Sequence, residues 1–195
     1  MAEGHVSRDD IQQAAALVFR REGYRGSTMQ QIADEVGLHK TSLYHHITSK
    51  ESLLASISQV AINHSLSEIE KIAADDTIDA GEKLRRAISM QVLEVAGHTD
   101  QVAVFTMYLS EISNEALRAE FVARRDRYGE LIQGLVADCL GVRPSSREAK
   151  MTSFGLLGMV NWMLNWYHHD GEFTAEELAE RYADMALAAI GLRPS

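Results

Sequence analysis

The window Val36–Lys50 carries Lys40, Thr41, Ser42, Tyr44, His45 and His46 and not one acid. Small hydroxyls, an ammonium, a phenol and imidazoles are groups that bond base edges and phosphates. The window stands out because the chain of 195 residues has a net charge of −9. Residues 1–55 hold six Lys/Arg and seven Asp/Glu, which leaves −8 on residues 56–195. A non-acidic window in an acidic chain is a candidate contact for a polyanion. Other chemistries find no footing. No nucleophile elbow, phosphate loop or paired-acid site is present, so no catalytic residue is expected and the chain does not read as an enzyme. Glu94 and His98 lie four apart and could face each other, a pairing that chance readily supplies. His45 and His46 are adjacent, point apart on a helix and have no Cys, Asp or Glu in the window to complete a site. No metal or cofactor is expected.

The elements that must position this window read as helices, because apolar residues recur at three and four rather than at two. Ile11, Ala15, Val18 and Phe19 form one stripe that Gly23 ends. Met29, Ile32, Ala33 and Val36 form a second, opened by the cap candidates Ser27 and Thr28 and closed by Gly37. A short third helix is expected over Lys40–His46, with Leu43 and Ile47 inward and Lys40, Thr41, Ser42, Tyr44 and His45 outward. Ser49 then caps a longer helix reaching Asp75, with Leu53, Ile57, Val60, Ala61 and His64 along one face. Longer helices are expected at about 79–95, 100–113, 114–140, 146–167 and 174–190, the last opened by the capping box Thr174-x-x-Glu177. The expected class is all-α, about nine helices, with a helix-turn-helix arrangement at the front.

Composition agrees with a folded chain, 46% hydrophobic and 24% charged with two prolines. The single cysteine, Cys139, cannot close a bridge within the chain, and Met1–Asp10 lacks the apolar core of a secretory signal. A cytoplasmic protein is expected. The longest apolar run, Phe154–Val160, is far too short for a bilayer, so no membrane association is expected.

One stretch ties these signals together: Phe19-x-x-x-Gly23-Tyr24-x-x-Ser27-Thr28-Met29-x-x-Ile32-Ala33-x-x-Val36-Gly37-Leu38, then Lys40-x-x-Leu43-Tyr44-His45-His46-Ile47 and Ser49-Lys50-Glu51-x-Leu53. It resembles the TetR-type bacterial transcriptional repressors. The resemblance implies a DNA-binding domain over residues 1–48 and a helical ligand-binding and dimerisation domain over 49–195. It also implies that Thr28, Tyr44, His46 and Lys50 touch the DNA backbone, with Lys40, Thr41, Ser42 and His45 nearest the base edges. His39, Thr41 and Ile47 depart from the usual pattern, where serine, glycine and an aromatic are common.

The expected partners are a double-stranded operator, a second copy of the chain and a small-molecule effector. The segment Met159-Val-Asn161-Trp162-Met-Leu-Asn165-Trp166-Tyr167 with Asp170-Gly171 is similar to members that sense acyl-CoA thioesters. Met90, Phe105, Tyr108, Phe121, Tyr128, Met159, Trp162 and Trp166, with Leu93 and Met107, are the candidates for an apolar effector cavity. Each also reads as ordinary core, and only the cluster points to a cavity. Arg118, Arg124, Arg125 and Arg127 suit either ligand phosphates or a solvated face paired with nearby acids. Dimerisation is expected through the last two helices, at Leu178, Tyr182, Met185 and Ala189. A sensor of drug-like hydrophobic molecules, acting on efflux or antibiotic response, is the alternative reading.

Overall fold

A computed structural model describes residues 6–192. Residues 1–5 and 193–195, which include part of the N-terminal stretch read above and the outer ends of both expected domains, lie outside the described residues. Among the described residues there are ten α-helices and no strand. They are α1 (Arg8–Glu22), α2 (Met29–Glu35), α3 (Lys40–His46), α4 (Lys50–Ala74), α5 (Ala80–Gly97), α6 (Thr99–Tyr108), α7 (Glu115–Leu140), α8 (Arg147–Asn161), α9 (Met163–Trp166) and α10 (Ala175–Ala189), with a 3-10 turn at Leu109–Glu111. Counting α8 and α9 as one interrupted rod gives the expected nine.

Backbone packing divides the chain into two compact units, residues 1–62 with 100–122 and residues 63–99 with 123–195. In the first unit, α1 is opened by a capping box in which Ser7 and Asp10 exchange bonds, and it buries Ile11, Ala15, Val18 and Phe19. Leu43, Leu53, Leu54 and Ile57 complete this core from α3 and α4. Val60, expected inward, is 54% exposed, because the buried face of α4 runs through Ile57, Ser58, Ala61 and Ile62 and leaves it on the other side. The helix expected over 100–113 stops at Tyr108. The N–H groups of Ser113 and Asn114 donate to the Glu51 carboxylate at 2.7 and 3.2 Å, so they are diverted from the helical carbonyls. Asn114 then caps α7, its side chain accepting from Leu117 N at 3.1 Å.

In the second unit α10 lies on α5, tied by an Arg85–Asp184 ion pair of 2.6 Å and by Ser89 Oγ donating to Ala179 O. Thr174 and Glu177 form the expected capping box. The single rod expected over 146–167 breaks at Trp162, whose carbonyl accepts from the backbone and the side-chain amide of Asn165 at 3.0 and 3.3 Å. A side chain competing for a helical carbonyl tightens the backbone into an i+3 turn. No helix of the described residues is long and apolar enough to cross a membrane.

Candidate nucleic-acid interface

Three devices set the geometry of α2 and α3. The Thr28 hydroxyl accepts from Gln31 N at 3.2 Å while Gln31 Oε1 accepts from Thr28 N at 2.8 Å, a complete capping box at the start of α2. At its end Gly37 adopts φ +69°, with Leu38 N bonded to Ala33 O at 2.9 Å and Gly37 N to Asp34 O at 3.2 Å. That pair of bonds is the Schellman closure, and its left-handed residue is why glycine stands there. Leu43 and Ile47 are then buried and seat α3. Only the opposite side of α3 is left to face outward. Lys40, Thr41, Tyr44, His45 and His46 are exposed and Ser42 is half-buried. The outward set therefore combines ammonium, hydroxyl, phenol and imidazole on a helix of seven residues. His39 precedes it without a side-chain cap bond.

Lys50 Nζ donates to Tyr24 O at 2.7 Å and Ser27 O at 2.8 Å, so the ammonium faces the protein's own backbone. Beside it Glu51 accepts from Ser113 Oγ at 2.7 Å as well as from the two amides, and these bonds hold its carboxyl below the ordinary range. Arg25 pairs with Glu111 at 2.9 Å. Burial, with the charges of Glu51 and Glu111, raises the Tyr24 phenol.

The residues expected around an effector are divided. Phe105, Tyr108 and Phe121 belong to the first unit and Met90, Tyr128, Met159, Trp162 and Trp166 to the second. Phe105, Phe121 and Tyr128 are buried, while Met90, Tyr108, Met159 and Trp166 are half-buried. Trp162, by contrast, is 65% exposed, and Leu93 and Met107 also face outward. Aromatic and apolar type did not distinguish the two directions. The arginine run is largely engaged: Arg118 donates to Ile112 O, Arg125 pairs with Asp126, Arg127 stands 3.8 Å from Glu70, and Arg124 bonds Asn63.

One polar cluster escaped sequence reasoning in part. Glu94, 8% exposed, receives His64 Nδ1 at 2.9 Å and His98 Nδ1 at 3.5 Å. Nearby the Tyr128 hydroxyl donates to Gln91 Oε1, and burial reinforced by the Glu94 charge pushes that phenol far up. The Glu94–His98 spacing was readable, but His64 lies thirty positions away on another helix and carried no local signal. Among the described residues no group of three could hold a metal ion.

Residues 11–57 match the family "Bacterial regulatory proteins, tetR family", and residues 77–190 match "Tetracyclin repressor-like, C-terminal domain". The HTH-type transcriptional repressor KstR2 of Rhodococcus jostii (strain RHA1) is 25% identical over 190 residues, covering 94% of this chain and 90% of that one. The solved structure of PfmR, a TetR family regulator from Thermus thermophilus, is 30% identical with a TM-score of 0.78, covering 93% of this chain and 98% of its own. AibR in complex with isovaleryl coenzyme A and operator DNA is 28% identical with a TM-score of 0.73, covering 91% and 96%.

Proposed function

The chain belongs to the TetR family, whose members are non-enzymatic DNA-binding regulators, and from that premise we propose a repressor that holds a palindromic operator as a dimer and releases it on binding an effector. The observation that carries the reading is α3: two buried anchors hold a seven-residue helix whose outward groups all suit DNA. Lys40, Thr41, Ser42 and His45 read base edges, and Thr28, Tyr44, His46 and Lys50 touch phosphates. The DNA-binding part is residues 1–48 and the effector and dimerisation part is residues 49–195. The working compartment is the cytoplasm.

A short recognition helix makes few base contacts, so a second copy on a symmetric site supplies the missing affinity. Met151, Phe154 and Trp162 support a face for that copy, being 61, 62 and 65% exposed on one stripe of α8 and its end. Gly155 and Gly158 lie on the same stripe with open space above them, so another helix can approach closely. Met185 and Ala189 are exposed on α10 and Tyr182 is half-buried, which leaves them open to that copy, whereas Leu178 is already buried within the protomer. The effector is of the acyl-CoA class, its acyl chain supplying the apolar part, a reading supported by the AibR likeness. Helix α4 carries the signal, since it contributes to both units without a break. A ligand that binds the DNA-incompetent state about a hundredfold better supplies roughly 2.7 kcal/mol, enough to empty a moderately occupied operator. The experiment is a gel shift on the chain's own promoter region, repeated with acyl-CoAs of several lengths and free CoA as control. A shifted palindrome that only the acyl-CoAs release is expected. Release only by unrelated drug-like molecules would overturn the effector class, and no shift at all would overturn the repressor reading.

A further inference from the structure

The buried residues of α5 are apolar with two exceptions, Gln91 and Glu94, which are 9% and 8% exposed. A buried polar group needs a partner, and Glu94 has two, since the imidazoles of His64 and His98 reach its carboxylate at 2.9 and 3.5 Å. Gln91 is answered on one side only. Its Oε1 accepts from the Tyr128 hydroxyl, and burial with the Glu94 charge holds that phenol far above its ordinary range, so it stays a donor. The bond leaves the other end of the amide, with its two N–H donors, and Nε2 has no partner among the described residues. Nor is Nε2 sealed off. Among the described residues Ser58 Oγ is the only fully enclosed side-chain N or O atom without a partner, so the Gln91 amide remains reachable. Gln91, Glu94, His64, His98 and Tyr128 all belong to the second unit.

We propose that Gln91 is a specificity-determining residue for the effector: its Nε2 donates to an uncharged carbonyl or hydroxyl oxygen of the ligand, while Tyr128 holds the amide in the orientation that presents Nε2. N–H donors turn away a cation, and the buried Glu94 carboxylate, one helical turn along α5, disfavours an anion beside it. An uncharged acceptor is what remains. In a ligand of the acyl-CoA class that oxygen is either the thioester carbonyl or one carried on the acyl chain. A buried donor also discriminates, because a ligand without the oxygen leaves it unpaired. The inference rests on the effector reading above.

The test uses the full chain. Affinities for octanoyl-CoA and 3-hydroxyoctanoyl-CoA are measured by calorimetry, and the side-chain amide signal of Gln91 is followed in nitrogen-15 spectra as acetophenone or ethylbenzene is added, two molecules of one skeleton that differ in a carbonyl oxygen. Gln91→Met removes the donors but strips Tyr128 of its acceptor, so Gln91→Met combined with Tyr128→Phe is carried alongside, each first checked by melting to be folded. Acetophenone is expected to shift the Gln91 amide and ethylbenzene to leave it unmoved. Both variants are expected to lose about tenfold or more in thioester affinity. A loss confined to 3-hydroxyoctanoyl-CoA places the oxygen on the chain, and an equal loss with both places it on the thioester. Equal loss without any amide shift would show a structural glutamine and overturn the proposal, as would unchanged affinity for both thioesters. If the unmodified chain binds neither thioester, the acyl-CoA reading has failed separately and the spectra alone decide Gln91: no shift, or the same shift with both molecules, overturns its role.

Discussion

Trp162 offers the sharpest perturbation, because its residue type suggested an effector contact while its placement suggests a protomer contact. A tryptophan side chain presents up to about 250 Å², and at 65% exposure about 160 Å² of it faces outward. Truncation to alanine would remove most of that surface. At about 25 cal/mol per Å² the loss is about 3–4 kcal/mol for each protomer, and a two-fold interface counts it twice. Buried area does not convert fully into affinity, so about half of the sum, some 4 kcal/mol across the dimer, is the working figure. That corresponds to roughly a thousandfold in the dimer Kd. Sedimentation of Trp162→Ala from nanomolar to ten-micromolar concentration should therefore show monomer where the unmodified chain is dimeric. Operator binding should weaken in step, since a monomer holds only one half-site. A variant that stays dimeric throughout and loses only effector affinity would refute the argument and return Trp162 to the ligand.

Three further outcomes follow from local geometry. Thr28→Ala removes the hydroxyl that accepts from Gln31 N and donates to Gln31 Oε1, leaving only the backbone half of the α2 capping box, and should cost about 1 kcal/mol, a fall of about 2–4 °C in Tm, while Thr28→Ser keeps the box; equal melting of the two variants contradicts this. The Glu51 carboxyl is held low by the Ser113 hydroxyl and the Ser113 and Asn114 amides, so its stabilisation is full above the unfolded carboxylate range and lost as pH falls through its folded value. Glu51→Gln should accordingly be less stable than the unmodified chain at neutral pH, with the gap in denaturation midpoint closing on acidification; a gap that widens in acid reverses the sign. Burial, with the charges of Asp138 and Asp79, pushes the Cys139 thiol up to about 11. Alkylation by iodoacetamide at pH 8 should then be about tenfold or more slower in the folded chain than in denaturant, and equal rates would contradict it.

Local signals carried much of the architecture. Helix α3 falls at Lys40–His46 as expected, because Gly37 ends what precedes it and Leu43 and Ile47 fix its inward face. The Thr174 capping box likewise starts α10 where the sequence places it. What the sequence could not show depends on partners distant in the chain or on direction. The end of α6 is set by Glu51, whose carboxylate takes the Ser113 and Asn114 amides from about sixty positions away. Lys50 was legible as a charge beside a DNA-binding motif, but the three carbonyls it meets emerge only when the turn at Tyr24–Ser27 is folded. In the effector region the residue types were legible and their directions were not, since Trp162 and Tyr128 share aromatic character and point oppositely with respect to solvent.

Specific reading of one DNA site by a dimer, and its release on effector binding, are read together by fluorescence anisotropy of a labelled palindrome from the chain's own promoter, titrated with protein and then with acyl-CoAs, against a scrambled duplex of the same length. Saturation at two protomers per palindrome is expected, with binding to the scrambled duplex weaker by about a thousandfold or more and release by at least one acyl-CoA but not by free CoA. Equal affinity for palindrome and scramble would contradict it.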